Sequence, residues 1–590
     1  MRILLTALAF LAASAAAELP EDYWDTDRSQ AILDVTLRVT LDPDLSHLTH
    51  AESQAVAELI SAGRIMHDLY EKQMHSQAAD AAQALAQIHA TAGRSVATQN
   101  LLDLWYLSKG PITTTLDNER LAFVPVDAEQ PGRNIYPHGI TRDEIDNYLT
   151  DYPAEADSIL ELRTVVRRTS SENLTFDIAR LDEFPAIDAL HTGLRQNLES
   201  LHADANRLYA VPYALAYAPE LRQIRQYLYV AADLLHQQTP DFAAYLRNRA
   251  RDLLSSDYES GDASWVSGDF DGLNVAIGSY ETYDDKLRGV KAAFGMSILA
   301  RDAEKSRALE EAMAGLQAIE NSLPYEHQKT VRTRIPVGVY NIIADFGQSR
   351  SANTATILPN DADHTRKYGR TILLRSNIMT HPEIFANSKK RFDAVIDECC
   401  RDHLTTDGGF NRTLWHEVGH YLGIAQTADG RDLGNALADH ADLLEEMKSD
   451  LVSLYAAPSL RDSGYHDYAA LRAHYADGIR RTLQVVKPRA EQPYQNMQLM
   501  QFNFYMEHGL IEANHGTSLL VINYDRYHDV VTQLLQQVLL IQYAGDRARA
   551  QEFVGRWNYW DDNLHGGLAQ RMLDTNAFRR TLLRYKALAE

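Results

Sequence analysis

Cysteine is almost absent from this chain: there are two among 590 residues, and they are adjacent, Cys399 and Cys400. Neighbouring cysteines cannot form an ordinary disulfide without a strained eight-membered ring. The stability of the protein must therefore come from its core and not from cross-links. We interpret the pair as two partly buried thiols, with a second metal site as the weaker alternative.

A surplus of positive charge is also absent. The formal net charge is −24, from 81 Asp and Glu residues against 57 Lys and Arg residues. Nucleic acids and anionic membrane surfaces would repel such a chain, so neither is expected as a partner. The hydrophobic content of 45% and charged content of 23% are those of a globular protein. The length predicts more than one lobe or domain.

Long hydrophobic runs are absent beyond the N-terminus. Arg2 is followed by an apolar stretch over 3–13, and three alanines at 15–17 form a small-residue cleavage site before Glu18. This pattern predicts a signal peptide over 1–17, too short to span a bilayer. No later stretch predicts a membrane span. We therefore expect an exported protein, either periplasmic or secreted.

One five-residue motif carries most of the chemical information, His416-Glu417-Val418-Gly419-His420. Residues four apart on a helix share a face, so both imidazoles can reach one metal ion. The glutamate between them can take a proton from a metal-bound water. The alternative is a helix that carries two histidines by chance. The apolar residues around the pair favour the metal site, because they predict a buried helix, where ionisable groups need partners.

A second segment, 443–455, supplies carboxylates. Its apolar residues recur at helical spacing, and Glu445, Glu446 and Asp450 lie together on its more polar side. One carboxylate can complete a His-His-Glu site and leave a fourth position for water. Asp450 can accept a hydrogen bond from the outer nitrogen of a ligating histidine. The alternative is a solvated acidic face, which most charge clusters are.

Helical periodicity dominates the rest of the chain, and the fold class that it predicts is mostly α with a smaller β element (α+β). Short β-branched runs at 335–343 and 370–376 are the best strand candidates, and 111–140 reads as loop with short strands. The predicted helical stretches are 51–108, 216–256, 284–323 and 410–590, the last with a polar gap at 426–435.

The motif at 416–420 followed by the acidic helix resembles the dipeptidyl peptidase III family of zinc metallopeptidases, in the bacterial branch with the five-residue His-Glu-x-x-His. The resemblance extends from about residue 22 to 556. Further segments that are similar to this family are 42–48, 211–213, 278–285, 289–294, 358–361, 411–416 and 540–546.

The resemblance implies two lobes separated by a wide cleft, with a helical lobe carrying zinc and a β-rich core in the other. It implies one Zn²⁺ per chain, bound by His416, His420 and Glu446. Glu445 and Asp450 would hydrogen-bond these ligands. The implied division of the chain is 1–17 as signal peptide, 18–283 as N-terminal part mainly in the first lobe, 284–334 as a helical segment toward the zinc lobe, 335–395 as the β-containing part of the first lobe, and 396–590 as the helical zinc-binding catalytic lobe.

The resemblance also implies the catalytic and substrate-binding residues. Glu417 would activate the water, and Tyr283 would donate a hydrogen bond to the tetrahedral oxyanion. Glu281, helped by Asn360, would hold the free amino terminus of the substrate. The first asparagine of the family's Asn-x-Pro-Asn motif is replaced here by Ile357.

The leading hypothesis is an exported zinc metallopeptidase that releases dipeptides from the N-terminus of oligopeptides. Two alternatives stay open: a zinc hydrolase of non-peptide amides or esters, and a non-catalytic protein that binds peptides or zinc. The expected partner is an oligopeptide substrate, with no nucleic acid and no membrane span.

Overall fold

The computed structural model describes residues 19–117, 119–331, 336–350, 354–489 and 492–589. It is 57% helical with several small sheets. This confirms the predicted class, mostly α with a smaller β element.

Helices occur along the whole described chain, and the longest lie at 50–74 and 441–462. The α-helices are α1 (Thr26–Asp34), α2 (His50–Met74), α3 (Ala78–Thr91), α4 (Val96–Ser108), α5 (Arg142–Asp151), α6 (Ala156–Leu160), α7 (Ser171–Glu183), α8 (Pro185–Leu190), α9 (Leu194–Ser200), α10 (Tyr213–Ala216), α11 (Ala218–Leu235), α12 (Pro240–Ser255), α13 (Glu259–Ser267), α14 (Ala303–Met313), α15 (Leu316–Ser322), α16 (Ala362–Tyr368), α17 (Ser376–Met379), α18 (Pro382–Val395), α19 (Glu398–Arg401), α20 (Thr406–Gly419), α21 (Leu433–Leu437), α22 (Ala441–Asp462), α23 (Tyr468–Thr482), α24 (Pro493–Glu507), α25 (Tyr527–Ala544), α26 (Arg547–Trp557) and α27 (Gly567–Asp574).

The strands are short and concentrate in the middle of the chain. They are β1 (Thr36–Leu41), β2 (Ile112–Thr114), β3 (Arg120–Ala122), β4 (Thr164–Thr169), β5 (Asp204–Pro212), β6 (Leu273–Ser279), β7 (Phe294–Arg301), β8 (Val337–Gly347), β9 (Ala355–Leu358), β10 (Thr371–Arg375), β11 (Ile511–Ala513), β12 (Leu520–Ile522) and β13 (Arg580–Tyr585).

The main sheet has five strands in the order β6-β7-β8-β10-β9. All neighbouring pairs are antiparallel except β8 and β10, which are parallel. The helix predicted over 284–323 is wrong in its first part, because 294–301 form β7 and helix begins only at Ala303. β7 is buried on both faces, and a short apolar run of this kind has the same pattern as a buried helix.

Two large hydrophobic cores meet at β10 of the sheet, which agrees with the two-lobed architecture. Successive side chains of a strand point to opposite faces. On β10, Leu373 joins the first core, whereas Ile372 and Leu374 join the second. The first core is built around α2, α11 and α12, and the second around α20, α22 and α25.

The end of the chain returns to the first core. β13 pairs in parallel with β1, and Leu583 and Tyr585 pack in the first core. The division of the chain into segments stays a prediction. The paired strands β1 and β13, although distant in sequence, both belong to the first lobe.

Candidate functional site

The predicted motif lies at the end of α20, and the predicted carboxylates lie on the first half of α22. Gly419 lets these two helices approach closely, because a Cβ added there would lie 2.6 Å from the carbonyl oxygen of Ser449. Buried Lys448 of α22 donates hydrogen bonds of 2.9 Å to the carbonyl oxygens of Gly419 and Leu422. These bonds satisfy carbonyls left open at the end of α20 and fix α22 against it.

Three potential ligand atoms converge between the helices. One nitrogen or oxygen from each of His416, His420 and Glu446 lies within 4.8 Å of the others. Glu446 Oε2 is 3.1 Å from His416 Nε2 and 3.8 Å from His420 Nε2. This oxygen is buried and has no hydrogen-bond partner among the residues that the structure describes. Two imidazoles and a carboxylate oxygen facing one point are a donor set that fits zinc.

The outer nitrogen of each histidine contacts a carboxylate. His416 Nδ1 lies 3.0 Å from Asp450 Oδ1, and His420 Nδ1 lies 3.0 Å from Glu445 Oε1. Ser449 Oγ is also 2.9 Å from His420 Nδ1. A carboxylate acceptor favours the tautomer with the proton on Nδ1. This tautomer leaves the lone pair of Nε2 available to bind a metal ion.

Asp450 is itself held by a buried cation. Arg412 Nη1 donates to Asp450 Oδ1, and Arg412 Nε lies 3.1 Å from Asp477 Oδ2. Burial opposes the charged form of Asp450, but the charge of Arg412 and the hydrogen bond from His416 outweigh it and lower the pKa of this carboxyl well below its usual range. Asp450 therefore stays ionised and keeps His416 in one orientation.

The site attracts positive charge. Burial opposes protonation of His416, yet the carboxylates of Asp450 and Glu446 beside its two ring nitrogens outweigh burial and raise the pKa of His416 to about 9. The carboxylates that stabilise a proton on this ring would equally stabilise a divalent cation between the ligands.

Glu417 is half-buried on α20, next to the candidate ligand His416. Its negative charge acts on His416, on Arg412 beside it, and on Arg375 at the end of β10. The side chain is therefore close to the metal ligands without being one of the three converging groups.

Tyr494 is a residue of this site that sequence reasoning missed. It lies at the beginning of α24, and its phenol donates a 2.9 Å hydrogen bond to Glu446 Oε1. The carboxylate is thus divided, with Oε1 held by the phenol and Oε2 left for a metal. Tyr494 is 48 residues from Glu446 on another helix, so no local spacing signals the contact.

The predicted substrate residues lie in a loop of the first lobe between β6 and β7. Asp285 organises this loop, since its carboxylate accepts a 3.0 Å hydrogen bond from the phenol of Tyr136 and further bonds from backbone N–H groups. Those N–H groups belong to Leu287, Arg288, Val290 and Lys291, each at 3.0 Å.

Glu281, Tyr283 and Asn360 come close together on this lobe. Glu281 and Tyr283 line the same small cavity of about 30 Å³. Asn360 Nδ2 donates a 3.1 Å hydrogen bond to the carbonyl oxygen of Tyr280, directly before Glu281. Burial raises the pKa of the Glu281 carboxyl, and the charge of Arg370 only partly opposes this. Tyr283 has 47% of its surface exposed.

Arg375 connects the two sets of residues. It is fully buried, lines the Glu281 cavity, and donates to Ser297 Oγ at 3.2 Å. Burial lowers the pKa of Arg375. Several neighbouring groups raise this pKa in part, and they include Tyr283 of the first lobe and Glu417 on α20. Tyr283 of one half-site and Glu417 of the other therefore both lie near Arg375.

The predicted signal peptide over 1–17 lies outside the described residues. No helix in the described part of the chain is long and apolar enough to cross a bilayer.

Solved structures similar to this chain share its fold. A dipeptidyl peptidase III from Caldithrix abyssi has a TM-score of 0.78 at 23% identity, covering 94% of this chain and 99% of that one. A dipeptidyl peptidase III from Corallococcus sp. strain EGB has a TM-score of 0.74 at 23% identity, covering 95% of this chain and 98% of that one. The resemblance predicted from the sequence is confirmed at the level of the fold, including its two lobes.

Sequence comparison finds a further similar protein. Nudix hydrolase 3 of Arabidopsis thaliana is 25% identical over 558 residues, which are 88% of this chain and 69% of the relative. No protein-family model matches the chain.

Proposed function

We propose that this chain is a zinc-dependent peptidase of the dipeptidyl peptidase III type, releasing dipeptides from the N-terminus of oligopeptides. The observation that carries the proposal is the convergence of His416, His420 and Glu446, with Glu417 beside them on α20. A chain that only bound zinc would not need a carboxylate in that position. The shared fold of two solved dipeptidyl peptidase III structures supports the same activity.

Zinc, when held by the three ligands, supplies a Lewis acid that acidifies water and polarises a carbonyl group. The remaining chemistry belongs to side chains. Glu417 accepts a proton from the attacking water and passes it to the leaving amine. Asp450 and Glu445 keep the two imidazoles oriented, so that geometry is set before substrate arrives.

The first lobe supplies the groups that recognise substrate. Tyr283 presents an exposed phenol that can donate a hydrogen bond to the oxyanion of the tetrahedral intermediate. Glu281 carries a partly buried carboxylate whose raised pKa reflects an uncompensated charge. A substrate ammonium group would compensate that charge, and this selects peptides with a free amino terminus.

The name of the Arabidopsis relative describes a different hydrolase, and the relative extends beyond the matched 69% of its length. The metal site favours the peptidase. His-Glu-x-x-His with a third carboxylate ligand is the donor set of zinc peptidases, and it lies within the chain whose fold the two peptidase structures share.

Mass spectrometry of a peptide mixture digested by the purified protein tests the proposal. We expect fragments that have lost two residues from the N-terminus, loss of cleavage with a chelator, and recovery with zinc. N-acetylated copies of the same peptides should resist cleavage. Cleavage that is indifferent to acetylation would contradict the exopeptidase mode and favour a hydrolase of other amides or esters. No cleavage of any peptide by the zinc-loaded protein would overturn the proposed activity.

Export is part of the same proposal and rests on the sequence of residues 1–17 alone. Expression of the full chain in a bacterial host, followed by N-terminal sequencing of the protein released by osmotic shock, should find Glu18 first. Retention in the cytoplasm with the N-terminus intact would contradict it.

A further inference from the structure

A second, larger cavity lies beside the metal centre, between the two lobes. Its volume is about 310 Å³, which is within the range of small-molecule sites and has room for about ten water molecules. Thr581 and Leu583 of β13 contribute to it from the first lobe, and Arg480 and Arg481 at the end of α23 contribute from the zinc lobe.

The cavity adjoins the catalytic motif. Thr413, which lines it, lies four residues before Glu417 on α20, so the two side chains share a helix face. The charge of Arg481 also acts on Asp450 and on Tyr494, which contact His416 and Glu446. None of the three candidate ligands lines the cavity, but Thr413 places it along the helix face that carries Glu417.

The arginines beside the cavity exceed the carboxylates that neutralise them. Arg412 is paired with Asp450 and Asp477, and Arg480 Nε lies 2.5 Å from Asp477 Oδ1. No carboxylate of the described residues lies within 4.0 Å of Arg481. With its amide oxygen turned toward Arg481, the uncharged side chain of Gln498 accepts a 3.2 Å hydrogen bond from Arg481 Nη2. Three guanidinium groups thus share two aspartates, and the surplus charge is on Arg481.

The pKa of Arg481 is consistent with this surplus of positive charge. Burial and the like charges of Arg412 and Arg480 lower the pKa of Arg481 to about 10. Buried Arg481 Nε has no hydrogen-bond partner among the described residues. An arginine in this state is stabilised by an anion that enters the cavity.

One strand connects this cavity to the Glu281 cavity. Thr354, directly before β9, lines the larger cavity, whereas Thr356 and Leu358 line the smaller one. Residues at alternate positions of an extended chain share a face. Four residues of extended chain span about 13 Å, so a bound peptide of about four residues reaches from one cavity to the other.

We propose that Arg481 binds the C-terminal carboxylate of the substrate, so that this site selects peptides of about four residues with both termini free. This inference rests on the proposed peptidase function and names its substrate class. Glu281 binds the ammonium group at one end, and Arg481 binds the carboxylate at the other, with Glu417 between them.

The other wall of the cavity indicates the last side chain of the substrate. It is apolar and consists of Ile378 and Met379 of α17, Ile384 and Phe385 of α18, and Leu583. An aliphatic C-terminal side chain would bury its surface against this wall while its carboxylate contacts Arg481. Peptides that end in leucine should therefore be cleaved better than peptides that end in aspartate.

The test compares the tetrapeptide Ala-Ala-Ala-Leu as free acid and as C-terminal amide. For the zinc-loaded native protein, we expect kcat/KM for the acid to exceed that for the amide about ten- to a hundred-fold, the contribution of one hydrogen bond between charged groups. Arg481→Gln should reduce this ratio to near one, mainly through a higher KM for the acid. Arg481→Lys should give an intermediate ratio, because lysine keeps the charge but loses the two-pronged geometry.

Arg472→Gln is the matched control. Arg472 lies on the same helix, where its guanidinium stacks over the ring of Tyr468 at 5.3 Å. This variant should keep the native ratio. Thermal unfolding of each variant checks that it folds. If Arg481→Gln does not fold, the acid-to-amide ratios of the native protein and of Arg481→Lys still test whether Arg481 binds the carboxylate.

Calorimetric titration with the dipeptide Ala-Leu separates the two proposals. The free acid should bind the native protein at least about ten-fold more tightly than Ala-Leu amide, and Arg481→Gln should abolish the difference. Equal binding of acid and amide by the native protein, or an unchanged ratio in Arg481→Gln, overturns the carboxylate site. Absence of any hydrolysis overturns the peptidase function instead, while the titration still reports on Arg481.

Discussion

The proposed metal half of the site and the proposed substrate half are built in different ways. His416 and His420 project from one helix, and each outer nitrogen contacts a carboxylate at 3.0 Å. Glu281 and Tyr283 project from a loop between two strands, and 47% of the Tyr283 surface is exposed. The first half is fixed by helix packing and buried ion pairs, whereas only the backbone of the second half is fixed.

This difference indicates a division of labour. Ligands of a metal must hold their geometry before the metal arrives, which requires locked side chains and oriented hydrogen bonds. Groups that bind substrate can complete their contacts when substrate arrives. Changes in the zinc lobe should therefore alter metal affinity, whereas changes in the loop at 280–293 should alter turnover while zinc stays bound.

Glu417→Gln should have the largest effect. Without the base, kcat should fall about a thousand- to ten-thousand-fold, the upper range for general acid–base catalysis. Zinc should stay bound, because Glu417 is not one of the three converging ligands. Steady-state kinetics together with metal analysis measure both quantities. Asp407→Asn, in the exposed first turn of α20, is the control and should behave as native.

Tyr283→Phe should separate turnover from metal binding. Loss of the phenol that we propose as donor to the oxyanion should lower kcat about a hundred- to a thousand-fold. Zinc affinity should be unchanged, since Tyr283 belongs to the other lobe. Tyr368→Phe serves as the control, because Tyr368 is an exposed tyrosine of the same lobe whose phenol contacts Glu259. A loss of zinc in Tyr283→Phe would contradict the division.

Asp450→Asn should weaken the metal half directly. Removing the carboxylate behind His416 should lower zinc affinity about ten- to a hundred-fold. It should also destabilise the fold by about 3 kcal/mol, because Arg412 loses a buried partner. Competition with a chromophoric chelator gives the affinity, and denaturant unfolding gives the stability. Asp462→Asn, at the exposed end of α22, should change neither.

Tyr494→Phe should have the smallest effect of these four substitutions, a modest loss of zinc affinity. Loss of one hydrogen bond to Glu446 Oε1 should lower zinc affinity about five-fold. The absorption spectrum of the cobalt-substituted protein should also change, because both carboxylate oxygens become free to bind the metal. An unchanged spectrum and affinity would show that the phenol does not set the geometry of Glu446.

The sequence predicted those residues of the candidate site that lie at helical spacing within a single helix. The spacing of His416 and His420, and of Glu446 and Asp450, placed each pair on one face, and both helices formed as expected. It could not reveal that Tyr494 of α24 contacts Glu446, or that Arg481 of α23 lines a cavity beside α20. Contacts of this kind depend on how helices pack, and packing leaves no fixed spacing in the sequence.

The fold shows the same limit. The short β-branched runs at 335–343 and 370–376 predicted two strands, and the structure has β8 at 337–347 and β10 at 371–375. β7 was mistaken for helix, because a strand buried on both faces lacks alternation. The parallel pairing of β13 with β1 joins segments more than 500 residues apart, and no local pattern signals it.

Zinc binding by the purified protein shows whether His416, His420 and Glu446 form a metal site. Equilibrium dialysis against buffered free zinc, followed by metal analysis, should find one zinc per chain in the native protein. Glu446→Ala should lose most of that zinc at the same free concentration, while keeping a native circular dichroism spectrum. A native protein that binds no zinc, or a Glu446→Ala variant that retains it fully, would contradict the account.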